Sequence, residues 1–192
     1  MYDANTSQKF NATSKTVVFT GGKTGQQYKG SDLDAYLNET FFATLSATMQ
    51  AAIVPKAINQ DMWEYGSSAP SSGTYYHLTY ASGSYYYYDS NYGTAEVGSR
   101  NVYVLSIRDA LDYLSVEANG DFVNTDIGQM FWNKSTANGG IPWLRSAYAS
   151  NNAGVYGVSG NDGIFNTQHY RNSNRVRPAF QIDLSKIAYT KN

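Results

Sequence analysis

Apolar positions recur along this chain with two periods, and each period predicts its own kind of element. In SDLDAYLNETFF, Leu33, Tyr36, Leu37 and Phe41 fall at helical spacing, and Ser31 followed three residues later by Asp34 has the form of a capping box, so a first helix is predicted there. The same spacing through Leu45, Met49 and Ile53 extends the helical pattern until Pro55 ends it. In NVYVLSIRDALDYLS the period changes within one segment. Val102 to Leu105 reads as a strand, and Ser106 with Asp109 caps a helix whose Ile107, Leu111 and Leu114 share one face.

Elsewhere the apolar runs are short and bounded by turn formers, which predicts strands. Lys15 to Thr20 is a β-branched run stopped by Gly21 and Gly22. Tyr75 to Tyr80 and Tyr85 to Tyr88, separated by ASGS, predict a hairpin with aromatic residues on both faces, carried as a surface insertion within Met62 to Ser99. From Asn133 the chain reads as loop-rich, with strand-like fragments at Val155 to Val158 and at Ile164 and Phe165. A terminal strand takes Val176, Ala179 or Phe180, and Ile182 as its apolar positions, with Pro178 at its start or edge because proline has no N–H to donate.

A length of 192 residues is enough to bury one ordinary core and marginal for two, so a single domain is expected over 1–192. The 14 Lys and Arg against 15 Asp and Glu give a net charge of -1, which offers no basic face to a phosphate backbone and no polybasic patch to a membrane. Neither nucleic acid nor membrane insertion is therefore expected. No apolar run approaches the roughly 18 residues of a span, and MYDANTSQKF lacks the basic-then-apolar pattern of a secretory signal. The absence of cysteine excludes disulfides, thiolate zinc sites and a cysteine nucleophile. Charged residues are only 15% of the chain, while Tyr numbers 18 and Gly 17, so something other than charge keeps the surface wet. Tyr with Ser, Asn and Gly is the mixture binding loops use, since Tyr gives a large amphipathic contact area at low entropic cost. Composition thus points toward recognition.

Candidate chemistry is sparse. His77 and His169 stand far apart, each among tyrosines, and a zinc ion needs three or four closely spaced ligands. Glu64, Asp89, Glu96, Asp121, Asp126 and Asp162 are scattered over turns, and nothing pairs two of them across a cleft as glycoside hydrolysis requires. Asp121 to Gln129 departs from the alternating ligands of a calcium loop, GGKTG has Val17 where a phosphate loop needs its first glycine, and no serine sits in a nucleophile elbow. No catalytic residue, metal site or cofactor is expected, and the protein reads as a non-enzyme. Trp143 and Leu144 beside Arg145, and Val176, Ala179 and Phe180 beside Arg177, read instead as anchors. Each arginine would stack on an aromatic or bond a carboxylate to fix loops to the core.

Taken in order, SDLDAYLNETFFATLSATMQAAIVP, VYVLSIRDALDYLS, WLRSA, AGVYGVSGNDG and RVRPAFQIDLS resemble the segments of a prokaryotic domain family of unknown function, DUF6273, from about Ser31 to Ser185. That family is similar to the formylglycine-generating-enzyme-like domains of the C-type lectin fold. The resemblance implies an α+β, C-type lectin-like domain with two helices, short antiparallel strands and a long loop-rich C-terminal region. The strand at Thr16 to Thr20 is then expected to pair near a terminal strand at Ala179 to Leu184, with Asn133 to Asn174 as the exposed face. Several lineages of this fold are variable proteins of diversity-generating retroelements, in which template adenines are mutated and Asn codons become codons for Tyr, His, Asp, Ser, Gly, Thr or Arg.

The resemblance accordingly implies diversified, ligand-binding positions at Tyr148, Asn151, Asn152, Tyr156, Asn161, Asp162, Asn166, Gln168, His169, Tyr170, Arg171, Asn172 and Asn174, within a variable region of about 143–180. Trp143, Leu144, Arg145, Ala153, Gly154, Val158, Gly163, Ile164, Val176, Arg177, Pro178 and Phe180 would be the scaffold between them. The active-site cysteines of the enzyme branch are missing, and WNK at Trp132 to Lys134 is a broken echo of the calcium-lectin triplet. The expected partner is a protein or other macromolecule, or a glycan, met by a domain displayed on a virion or cell surface of a prokaryotic or viral system. A carbohydrate-binding module, a degenerate enzyme and a fibre domain assembled through the Tyr-rich hairpin stay open as alternatives, as does the oligomeric state.

Overall fold

A computed structural model of the chain describes residues 6–66, 76–80, 84–88, 92–113, 141–158 and 165–187. The elements run β1 (Ser7–Lys9), β2 (Thr16–Val18), β3 (Thr24–Gln26), α1 (Asp32–Ala35), a π-helical turn (Tyr36–Phe41), α2 (Phe42–Thr44), α3 (Ala47–Ala52), β4 (Ile53–Val54) and β5 (Lys56–Gly66). There follow β6 (Tyr76–Tyr80), β7 (Ser84–Tyr88), β8 (Thr94–Arg100), α4 (Ile107–Tyr113), β9 (Trp143–Tyr148), β10 (Gly154–Val158), β11 (Phe165–His169), β12 (Ser173–Arg175), β13 (Gln181–Ile182) and a closing 3-10 turn (Leu184–Lys186). The architecture is mixed α+β and mostly strand. Its main sheet has the order β11-β10-β9-β5-β7-β6, with β8 also paired to β5. Within that sheet β5 and β9 run parallel, Met62 facing Ala147 and Trp63 facing Tyr148, and the other pairs are antiparallel.

Both predicted helix starts hold because each is settled by a serine and its neighbour three residues on. Ser31 Oγ accepts from Asp34 N at 3.0 Å. Ser106 closes a reciprocal box, its Oγ accepting from Asp109 N at 3.0 Å while its own N–H donates to Asp109 Oδ2 at 3.2 Å. The helical pattern after Thr44 does not run on to Pro55. Leu45 turns extended at ψ 149, Ser46 caps a fresh helix by accepting from Met49 N at 3.2 Å, and Ile53 joins a strand. Val102 to Leu105 is not a regular strand either; Tyr103 makes an isolated bridge to Ala179. The Tyr-rich hairpin is present as β6 and β7, and β7 adds to the main sheet by pairing Tyr85, Tyr86 and Tyr87 with Gly66, Tyr65 and Glu64.

Two expectations about pairing and coverage are corrected. The strand at Thr16 folds back on β3 through a turn whose Gly22 has φ 83, and the terminal strand β13 pairs with β4 instead. A glycine turn brings β3 beside β2 at a small loop-closure cost, so the local partner is favoured over the distant terminal strand. The first described strand, β1, pairs with β12, where Ser7 faces Arg175. The described part of the stretch from Asn133 to Asn174 is also not an exposed loop face. It contributes three strands of the main sheet, and every residue of β10 and all but Tyr148 of β9 are buried. Gly157 belongs inside β10 because a Cβ there would stand 2.6 Å from Ile141 Cγ2 and 2.9 Å from the Pro142 carbonyl.

The core divides around this sheet. Phe10, Tyr28, Leu33, Leu37, Phe41, Val97, Val104 and Trp143 pack together where the first helices meet the strands, and Trp63, Ile107, Leu144, Tyr156, Val158 and Phe165 pack around α4. Each large side chain fully withdrawn from water contributes roughly 1.5–3 kcal/mol. Buried polar groups among them are matched. Asp61 accepts from Trp63 Nε1 at 2.8 Å, from Arg108 N at 3.1 Å and from the Ser146 hydroxyl.

Candidate functional site

Ladder register brings two turns to one end of the sheet. Gly154 at the start of β10 faces His169 at the end of β11, so the turn before β10 and the turn after β11 are neighbours. Tyr170 N donates to Ala153 O at 3.1 Å and Asn11 N donates to Tyr170 O at 3.0 Å, tying both turns to the N-terminal segment. The first turn closes on itself through Asn151, whose Oδ1 accepts from Ala153 N at 2.8 Å and whose carbonyl accepts from Gly154 N at 2.8 Å. In the second, His169 accepts from Asn172 N through its carbonyl at 2.9 Å and from Arg171 N through Nδ1 at 3.2 Å. Asn172 Nδ2 adds a bond to Gln168 Oε1 at 3.1 Å.

Beneath these turns lies a buried amide. Gln26 is 0% exposed, donates through Nε2 to Asn152 O at 2.7 Å and to Ser14 Oγ at 3.0 Å, and accepts from Asn11 Nδ2 at 3.3 Å. The turn backbone is therefore pinned to the core, while among the described residues the side-chain contacts of Asn151, His169, Arg171 and Asn172 stay within the turns and their flanking strand residues. Asn151, Asn152, His169, Arg171 and Asn172 are exposed, and Gln168 is half-buried. No pattern in the sequence marked Gln26 as the support, since a lone Gln in a turn-rich segment carries no periodic signal.

The remaining positions of the thirteen are not exposed parts of this patch or lie outside the described residues. Tyr156 is 0% exposed, with its hydroxyl donating to Trp63 O at 3.3 Å and its ring edge-on to Tyr148 at 5.8 Å. Tyr170 is 6% exposed; His169 stacks on it at 4.4 Å and the Arg171 guanidinium lies over the same ring at 5.3 Å. The expectation that these two face outward is corrected, because both rings are spent on packing. Tyr148 is half-buried, and Asn174 is half-buried opposite Gln8 with its Nδ2 lacking a hydrogen-bond partner. Asn161, Asp162 and the side chain of Asn166 lie outside the described residues.

Arg145 has the anchoring role expected of it. At 2% exposure it donates Nε to Asn59 O at 2.7 Å and Nη1 to Val104 O at 2.7 Å, pairs with Asp109, and lies over the Tyr103 ring at 5.7 Å. Among the acids, Glu64 is buried and accepts from the Ser150 hydroxyl, whereas Glu96 is exposed. Asp89, Asp121, Asp126, the segment 121–129, the WNK triplet and the His77 side chain lie outside the described residues. Among the described residues no three His, Cys, Asp or Glu gather as a metal-holding group, and no helix is long and apolar enough to cross a membrane. Burial raises the Tyr28 hydroxyl far above its ordinary value, with the nearby Asp34 charge adding to it.

The profile of DUF6273, a domain of unknown function, matches residues 13–184, nearly the whole chain, and the chain belongs to that family. Neither a curated protein nor a solved structure matches it.

Proposed function

We propose that this DUF6273 member is a non-catalytic binding protein that meets a macromolecular target, foremost a protein, with the turn-bearing end of its main sheet. The supporting observation is the patch of Asn151, Asn152, His169, Arg171 and Asn172: five exposed polar side chains on two adjacent turns whose backbone is fixed by Gln26, Asn11 and Ala153. Fixed presentation limits the entropy lost on binding, and exposed side chains with few partners are exchanged at little cost to the fold. Those are the two physical demands on a diversified contact surface. Retroelement diversification and a C-type lectin-like scaffold belong to this reading and rest on the resemblance of the sequence motifs.

A library that varies these five positions, displayed and selected against unrelated proteins, tests it. Most variants are expected to fold and different targets to enrich different side-chain sets; collapse of most variants would overturn the reading. A neighbouring reverse transcriptase gene and a near-copy of the DNA for Asn151 to Asn174, differing only at adenines, are expected beside the gene, and their absence removes the retroelement part. Strong binding on a glycan array, lost in His169→Ala, would replace the protein target by a sugar.

A further inference from the structure

Between the π-helical turn and the end of β8 lies a cavity of about 550 Å³, lined by Asp34, Asn38, Glu39, Ser99, Arg100 and Asn101 among others. That volume is in the range of small-molecule sites. It is remote in sequence from the turns proposed as a contact surface, and its polar groups divide sharply into spent and unspent. Asp34 is spent. It is 4% exposed and accepts from Arg100 Nε at 2.7 and 3.0 Å, from Arg100 Nη2 at 2.8 Å, from Gly30 N at 2.8 Å and from Asn38 Nδ2 at 3.1 Å. Asn38 is spent too. The wide π-helical turn carries it to Val102, where Nδ2 donates to the carbonyl at 2.9 Å and Oδ1 accepts from the amide at 3.2 Å.

Arg100 is only partly used. Its Nε and Nη2 bond Asp34 and its Nη1 donates to Ser99 O at 2.8 Å, so among the described residues one of the five guanidinium N–H groups is left on each Nη. Because the group is planar and clamped by Asp34, those two N–H directions are fixed in advance. The bond to Asp34 is also the main cause that raises the guanidinium further above its ordinary value, so it stays charged. Glu39, on the same helical wall, is exposed and has no hydrogen bond or ion pair with a described residue. Lys56, opposite Arg100 in the ladder, turns its ammonium over the Tyr103 ring at 5.7 Å.

Asp34 and Arg100 cancel each other, which leaves Glu39 as the net charge of the lining. A plain anion at Arg100 would meet Glu39, and a plain cation at Glu39 would meet Arg100. We propose that this cavity binds a small zwitterion of amino-acid type, its carboxylate on the free Nη1 and Nη2 hydrogens of Arg100 and its ammonium on Glu39, with Ser99 and Asn101 completing the polar contacts. Nothing in this reading depends on the turn surface, so either can fail alone.

The test is titration of the whole chain with L-alanine, N-acetyl-L-alanine and L-alaninamide, followed by amide chemical shifts and calorimetry. L-Alanine is expected to shift the amides of Gly30, Ser99, Arg100 and Asn101, with each blocked compound at least about tenfold weaker, the loss of roughly one charge-assisted bond. Glu39→Gln, which removes an exposed group with no described partner, is expected to weaken L-alanine to the level of the acetylated compound while leaving thermal unfolding unchanged. No shift at these amides by about 10 mM L-alanine, a concentration that at least half-saturates a millimolar site, overturns the proposal. So does equal binding of blocked and free compounds, or unchanged affinity in Glu39→Gln.

Discussion

Tyr156 and His169 sit two rungs apart in one β-hairpin, and both belong to the set implied to be variable. Their situations are opposite. Tyr156 faces Thr167 in the middle of the ladder, wholly buried, with its hydroxyl on Trp63 O and its ring against Tyr148. His169 faces Gly154 at the ladder's end, exposed, and its hydrogen bonds serve only its own turn. Residue type therefore does not tell the contact surface from the core in this protein. The packing partners do: Tyr156 is covered within the cluster around α4 and Tyr170, although in the turn, within the cluster of the first helices, while the side chain of His169 stays exposed.

Replacing Tyr156 by Ala puts the largest strain on this contrast. Loss of a fully buried aromatic is expected to cost about 3–5 kcal/mol in chemical denaturation, and a cost under about 1 kcal/mol would break the comparison. Gly157→Ala comes next. The added methyl meets Ile141 and the Pro142 carbonyl, so a loss of about 1–3 kcal/mol is expected from overpacking, read as a lowered melting temperature. Ser106→Ala, which removes the cap that starts α4 below Tyr156, is expected to cost about 1 kcal/mol. At the other end of the scale, His169→Ser and Asn152→Ser are expected to stay within about 0.5 kcal/mol of the parent in the same denaturation assay. Parity between these changes and Tyr156→Ala would mean that the middle and the end of the ladder do not differ.

The parts of the fold legible in the sequence were those settled within a few residues. Ser31 with Asp34 and Ser106 with Asp109 announce helix starts because cap and acceptor are three apart. Gly21 and Gly22 announce a reversal, and the split tyrosine runs announce a hairpin. β9 was hidden by its own letters. WLRSAY carries Arg145 and Ser146, which belong in a buried strand only because Asn59, Val104 and Asp109 receive the arginine and Asp61 receives the serine. All of these partners come from distant parts of the chain. At the site, the exposed Asn151, Asn152, His169, Arg171 and Asn172 were within reach of composition and motif, whereas Gln26 beneath them and the cavity at Arg100 were not.

Sequence alone determined the local starts and stops, the mostly uncharged, tyrosine-rich character of the chain, and its kinship with DUF6273. Tertiary structure decided which strand pairs with which, which tyrosines are core, and which arginine keeps donors to spare. Capping and turn preferences act between neighbours in the chain. Burial and hydrogen-bond saturation depend on residues that only folding brings together.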